Sequence, residues 1–546
     1  MKVRCGANVA RRERTLSRQR FSVPTVVLLS MVYLAIFVQP NLTGAKDRNM
    51  LSAFWTELQM YGTDEFAQFV ALMHMATWGG SAYETLKNVL FYNQFPYGYP
   101  FFLLSLVAIL PLKLINGFLG VDVPTTAYVF VLRELNALFM LLSILLLVYL
   151  WTRFKSVFKS TALFVLLASV PAVFFNNMYW HPDSLVTLFA VFTIFCFVKD
   201  DLSFGIWFYL AAASCGLAAG TKVIGVFFFL AVASYLLLGI IQLRVPLKDA
   251  FKYALAFVVV MVLTFFAANP LLTIPSVAKE YVSTLRSVVD LTARGYNSSR
   301  TAGPVAWYEE ALRDWLGFWW LYLAAFLLAL AGIIYNPKRR ILNLMVLTWM
   351  APLSLYILYS IGLKSSYYFI PVFLPMLSCV ANVFDWQLRS ESGARNPARV
   401  VAAATIVVCL IQFGYYAYND SNLYRSVVNR ESRSTALRFY RALDDAYLAK
   451  VPEDKHLTVV REVKLYLPAS PKWEDHFKYG LMDYDYISTW NPDLILLSKI
   501  TVQQLAPQDK VYSFYHDAQT DSLKGFRKIV ETDFGLAFVK GSALPQ

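Results

Sequence analysis

About eleven stretches of this chain run for the length of a membrane-spanning helix without a single Asp, Glu, Lys or Arg. They are 21–45, 135–152, 161–182, 184–198, 202–221, 223–243, 254–278, 315–337, 341–363, 365–384 and 400–419. A bilayer core is about 30 Å thick and takes about twenty apolar residues per helix, so each stretch is a spanning candidate. Composition agrees: 58% of the 546 residues are hydrophobic and 16% charged. Soluble domains carry nearer 25% charge and could not hide so much apolar surface. The expected fold is mainly α, a polytopic membrane protein with about eleven transmembrane helices.

The first stretch follows a basic tail, as a cleaved signal peptide would. Its apolar part is longer than a signal core, and Gln39-Pro40-Asn41 offers no small-residue cleavage site, so it reads as a retained helix. Orientation comes from Lys and Arg in short loops, which concentrate on the cytoplasmic side. Residues 1–20 hold Lys2, Arg4, Arg11, Arg12, Arg14, Arg18 and Arg20 against Glu13 alone, and form a cytoplasmic tail. Alternation then puts Arg153, Lys155 and Lys159 inside, followed by Lys199, by Arg244 and Lys248, by Lys338, Arg339 and Arg340, and by Arg389, Arg395 and Arg399.

That agreement requires one further stretch, 88–112, not to cross, although it too is free of charge. Its Pro96, Gly98, Pro100 and Pro111 suit a re-entrant or interface-lying segment. The module 21–419 then has external loops at 41–100 and 269–313, and residues 420–546 form an external soluble domain. Apolar and aromatic residues at helical spacing from Phe66 through Trp78 and from Tyr83 through Phe91 read as external juxtamembrane helices lying in the interface.

Other classes are excluded more briefly. Of the five cysteines one lies in the tail and four in membrane stretches, so no disulfide framework is expected. The five histidines have no metal-ligand spacing, and no metal or other cofactor is expected. The net charge of +13 falls largely in cytoplasmic loops, which topology explains better than a nucleic-acid partner.

Ionisable residues at the outer helix ends are the functional candidates, because charge in or near a bilayer is costly. They are the pair Asp64 and Glu65, then Arg133 beside Glu134, Asp183 in His181-Pro182-Asp183, and Lys222 in Gly220-Thr221-Lys222. A partly desolvated carboxylate can serve as general base toward an acceptor hydroxyl, and a cation can hold phosphate and stabilise it as it leaves. Base, cation and a lipid-accessible setting together suit a lipid-linked sugar donor.

With those residues go Tyr97-Gly98-Tyr99-Pro100, Leu132-Arg133, Pro182-Asp183-Ser184-Leu185, Asn269-Pro270 and Tyr367-Tyr368-Phe369-Ile370-Pro371. In this order and on this side of the membrane, over roughly residues 20 to 420, the chain resembles the glycosyltransferases of superfamily C, in their protein mannosyltransferase and aminoarabinose transferase branch. The resemblance implies a hexosyl- or pentosyltransferase that moves a sugar from a polyprenyl or dolichyl monophosphate, with inversion, to a protein, lipid or glycan acceptor on the external or luminal face. It implies Asp64 as base with Glu65 as fallback, a second acid at Asp183, and donor-phosphate contacts from Lys222 and Arg133. Tyr97, Tyr367 and Lys364 would bind substrate, Lys364 standing in for a basic residue that often precedes the tyrosine. Gly62-Thr63 departs from the commoner His-Pro before the acidic pair, which puts acceptor handling in question.

Each candidate has a plainer reading. Asp64 and Glu65 could be solvated loop charges, Asp183 a helix N-cap, Lys222 a snorkelling anchor, and Arg133 a packing partner of Glu134. Trp78, Tyr97, Tyr99, Trp307, Trp319 and Trp320 fit an interface belt better than sugar platforms. A secondary transporter or flippase is the alternative function, but it should place charge or broken helices near the midplane and show an internal repeat, neither of which is evident. A membrane scaffold would leave the clustered charges without a role.

In the C-terminal region 432–449 reads as an amphipathic helix, 456–460 and 494–498 as buried strands and 526–539 as a closing pair, a small α/β or α+β domain. Sequons at Asn41, Asn297 and Asn419 fall on or near the external side. A bacterial-type inner membrane is the expected location, with the endoplasmic reticulum as alternative.

Overall fold

The structure, a computed structural model, describes residues 2–43, 63–92, 94–294, 303–386, 395–499 and 505–543. Gly62, Asn297 and Arg389, all used in the sequence reading, lie outside the described residues.

Every one of the expected apolar stretches contains a helix. Among the described residues eight helices are long and apolar enough to cross a bilayer, seven of them in those stretches and one, Tyr99–Gly117, in the segment expected not to cross: Ser22–Leu42, Tyr99–Gly117, Thr125–Thr152, Val223–Ile241, Leu247–Ala268, Pro337–Ser360, Ser366–Phe384 and Val400–Val428. A ninth arises if Pro304–Trp315 and Trp319–Tyr335, bent by 90° at their junction, count as one span. Three expected spans come out shorter or more charged. Val157–Ala168 stops where Ser169, Val170 and Pro171 break it, because proline cannot continue an interior helix; Ile206–Thr221 has 16 residues, and Asp183–Asp200 carries charge at both ends. The Asp183–Asp200 helix and most of the Ile206–Thr221 helix are buried against neighbouring helices, whereas Val157–Ala168 leaves Phe158 exposed.

The segment 88–112 is helical from Tyr99 to Leu119 and by length could span. Its two ends have defined neighbours. The Gly98 N–H donates to Thr221 O at 2.8 Å, and Lys113 Nζ lies 5.5 Å from the ring centroid of Tyr128. Tyr128 lies in the first turn of the Thr125–Thr152 helix, about one and a half turns before Arg133, which pairs with Glu65.

The chain divides into two compact units, residues 1–41 with 64–423 and residues 42–63 with 424–546. The second holds a five-stranded sheet in the order β2-β1-β3-β5-β4, where β1 is Leu457–Glu462, β2 Trp473–Lys478, β3 Leu494–Ser498, β4 Phe526–Glu531 and β5 Gly535–Lys540. The first three pair in parallel, β5 antiparallel to β3 and β4.

Successive residues of the central strands face opposite ways. Val459, Leu494 and Leu496 pack on the Thr435–Ala446 helix, while Val460, Ile495 and Leu497 pack on Phe514 and Tyr515 of the Lys510–Gln519 helix. Helices thus cover both faces of a mixed sheet. The expected helix and all four expected strands are present; β2 was not foreseen, because Trp-Glu-Asp-His-Phe-Lys is a half-exposed edge strand without an apolar alternation.

Candidate active site

Adjacent helix residues point about 100° apart, which gives the acidic pair two different environments. Asp64 and Glu65 lie in the first turn of the Thr63–Met75 helix, where the dipole favours carboxylates. Glu65 turns inward and is 1% exposed. Arg133 meets it with a two-pronged pair, Nε to Oε1 at 2.9 Å and Nη2 to Oε2 at 2.7 Å, and the Trp180 N–H donates to Oε1 at 2.6 Å. Asp64 turns outward, its side chain 41% exposed.

Arg133 was expected at the donor phosphate or, failing that, beside Glu134. Instead its guanidinium, buried with Glu65, braces the residue before His181; Glu134 accepts from Asn41 Nδ2 at 3.0 Å.

A second pair carries the free end of the site. Asp183, fully buried, opens the Asp183–Asp200 helix without capping it, so the N-cap reading does not hold. Its two oxygens receive Lys222 Nζ at 2.9 Å each, and Oδ2 also meets His181 Nδ1. Lys222 is 10% exposed, not a snorkelling anchor, and lies 5.8, 5.1 and 4.9 Å from the ring centroids of Tyr97, Tyr367 and Tyr368. Such a ring cage suits a cation.

Between the pairs stands His181. Its Nε2 lies 2.8 Å from Tyr97 OH and 3.8 Å from Asp64 Oδ2, while its ring stacks with Tyr179 and packs 4.7 Å from Tyr367. An ionised Asp183 can only accept, so Nδ1 is assigned the proton and Nε2 accepts from Tyr97. The Tyr179 hydroxyl also bonds Asp64; burial first, then the Asp64 charge, holds both the Tyr97 and Tyr179 hydroxyls well above the usual tyrosine range, hence protonated.

Glycines fix the approach of the strands of chain that carry these groups. A Cβ on Gly98 would sit 1.5 Å from Gly220 O, so only glycine admits this contact. Asn269 locks the junction, accepting from the Tyr99 N–H at 3.0 Å and donating to Gly220 O at 3.1 Å. The Tyr97–Pro100, Gly220–Lys222 and Asn269–Pro270 motifs, far apart in sequence, are one joint in space.

Asp64, Asp183, Lys222, Tyr97 and Tyr367 therefore meet around His181, with Glu65 and Arg133 directly behind. Lys364 does not join them in any contact found: its Nζ pairs with Glu310 at 2.9 Å. Trp307 is buried and donates to Ile361 O at 3.1 Å, a packing role. His181, Tyr179 and Tyr368 went unrecognised as site members. The signal was there in His181-Pro182-Asp183 and the paired tyrosines, but nothing local says that four segments converge on that imidazole. No group of three or more His, Cys, Asp or Glu suited to a metal occurs among the described residues.

Residues 116–283, about a third of the chain, match the family model for dolichyl-phosphate-mannose-protein mannosyltransferase. That stretch contains Arg133, Asp183, Lys222 and Asn269. This segment is thus similar to that family, in line with the resemblance its motifs carry. No curated protein matches its sequence. Among solved structures, ArnT from Cupriavidus metallidurans bound to undecaprenyl phosphate is 14% identical, with a TM-score of 0.47 over 96% of this chain and 99% of that one. The archaeal oligosaccharyltransferase AglB from Archaeoglobus fulgidus, in complex with an inhibitory peptide and a dolichol-phosphate, is 14% identical, with a TM-score of 0.40 over 96% of this chain and 75% of that one.

Proposed function

We propose that the protein transfers a hexosyl or pentosyl group from a polyprenyl or dolichyl monophosphate to an acceptor hydroxyl at the external or luminal membrane face, with inversion. The observation that carries this reading is the half-exposed Asp64 set 3.8 Å from His181, whose other nitrogen meets the Asp183 to which Lys222 is bound. A base and a cation stand on either side of one imidazole.

In the reaction, Asp64 takes the acceptor's proton as the hydroxyl oxygen bonds to the anomeric carbon on the face opposite phosphate. The bond from that carbon to the phosphate oxygen breaks, and its electron pair leaves with the lipid monophosphate. Lys222 meets the charge gained there, shared until then with Asp183. His181 stands next to Asp64 with an open lone pair once Tyr97 rotates, and can accept the proton onward; Asp183 then stabilises the imidazolium. Glu65 is the poorer base on geometry: it is buried against Arg133, away from an acceptor.

Tyr97 and Tyr367 shape the donor side. A protein, lipid or glycan acceptor enters beside Asp64, and a bacterial-type inner membrane is the setting, with the endoplasmic reticulum as alternative. The test is transfer of labelled sugar from polyprenyl monophosphate in proteoliposomes. Asp64→Asn should lower kcat by about a hundredfold or more, the usual worth of a general base; a rate within twofold of wild type removes Asp64 from that role.

A further inference from the structure

Away from this site, two apolar cavities lie in line along one seam of the bundle. One, of about 250 Å³, is bordered by Tyr33, Ile36, Phe164, Val165 and Phe174 and ends at Asp420. The other, of about 320 Å³, continues past Val165 between Leu166, Val383, Ile406 and Phe413. Val165 borders both. From Thr405 to Asp420 the seam follows one helix for about 22 Å, at 1.5 Å per residue, more than the roughly 15 Å depth of one leaflet.

The walls are open to the bilayer: Val32 is 49% exposed, Ile36 40% and Leu410 64%. Asp420 is not. It is 8% exposed, and its Oδ1 has no hydrogen-bond partner. Neither cavity is bordered by a Lys or Arg. A carboxylate in that position is costly unless something donates to it, and the described protein groups do not.

We propose that this seam is a binding site for a membrane phospholipid with a primary-amine head group. The apolar seam takes one acyl chain, and the ammonium donates to Asp420 at the end of the bundle that holds the acidic site. Charge complementarity selects the occupant. A polyprenyl phosphate or phosphatidylglycerol brings only negative charge toward Asp420, and a quaternary ammonium has no proton to donate to a shielded oxygen. The site is therefore separate from the donor's and independent of the proposed reaction.

The full-length protein, reconstituted in nanodiscs of equal phosphatidylethanolamine, phosphatidylglycerol and phosphatidylcholine and re-extracted in mild detergent, gives the retained lipids by mass spectrometry. Wild type should retain phosphatidylethanolamine about tenfold over either other lipid, the worth of one charge-assisted hydrogen bond. Asp420→Asn should bring the ratio to that of the nanodisc, and Val165→Trp, which fills the seam from the side, should release the lipid with Asp420 intact. Equal retention of all three by wild type, enrichment of phosphatidylglycerol, or unchanged enrichment in either folded variant overturns the assignment. Sugar transfer is not an endpoint, so the outcome does not depend on the proposed reaction.

Discussion

Replacing Arg133 by Met leaves the Glu65 carboxylate buried, 1% exposed, with the Trp180 N–H remaining of the three donors described above. Stranding one partner of a buried ion pair costs about 3–5 kcal/mol, whereas replacing both by apolar groups of similar volume is often close to neutral. Arg133→Met and Glu65→Leu should each destabilise the fold by several kcal/mol, and the double variant by about 1–2 kcal/mol. The coupling energy of the cycle should then exceed about 2 kcal/mol, far above the roughly 0.5 kcal/mol found between independent sites. The assay is equilibrium unfolding of the full-length protein in mixed micelles, with denaturing detergent as the variable. The double variant also separates stability from chemistry: its fold should recover, but kcat should not, because the Tyr179–Asp183 turn has lost the anchor at Trp180. Additive single-variant costs, or single variants within about 1 kcal/mol of wild type, would refute the bracing role.

Three further outcomes follow from particular contacts. Gly98→Ala places a methyl group on Gly220 O and should cost about 3 kcal/mol or more and abolish transfer, while Gly117→Ala, with open space around it, should leave activity intact and stability equal or up to about 1 kcal/mol higher. His181→Gln should lower kcat with KM little changed, because the imidazole is faced by Asp64, Asp183, Tyr97, Tyr179 and Tyr367; an unaltered kcat would assign it to packing alone. In the C-terminal unit, burial pushes the Glu462 carboxyl up to about 7 from its ordinary 4.5. The folded state then holds the proton more tightly than the unfolded one. Stability should be greatest below pH 4.5, decline by up to about 3 kcal/mol as pH rises to about 7 and level off above, a slope that Glu462→Gln removes in pH-dependent thermal unfolding.

The membrane class was legible because charge-free runs have no soluble alternative. The helices themselves differ from the runs where tertiary partners remove the penalty for charge: Thr125–Thr152 starts well before Leu135 because Arg133 is paired with Glu65 across 68 residues. A list of charge-free segments cannot show that pairing. The acidic pair, Asp183 and Lys222 were legible as motifs, since each sits where a helix meets the membrane edge. Their division of labour was not. That Glu65 faces in and Asp64 out depends on helix phase, and that His181 joins two acids depends on four segments meeting at a glycine-to-glycine contact. Lys364 was assigned by position alone, and its partner Glu310 lies in a different segment.

One measurement bears on the reaction most directly: the fate of both halves of a polyprenyl monophosphate sugar labelled in the sugar and in the lipid, followed through a single turnover in proteoliposomes. The account predicts one acceptor glycoside of inverted anomeric configuration for each polyprenyl monophosphate released, and both products formed about a hundredfold or more slower with Asp64→Asn. Retained configuration, release of free sugar without acceptor, or undiminished turnover in that variant would contradict it.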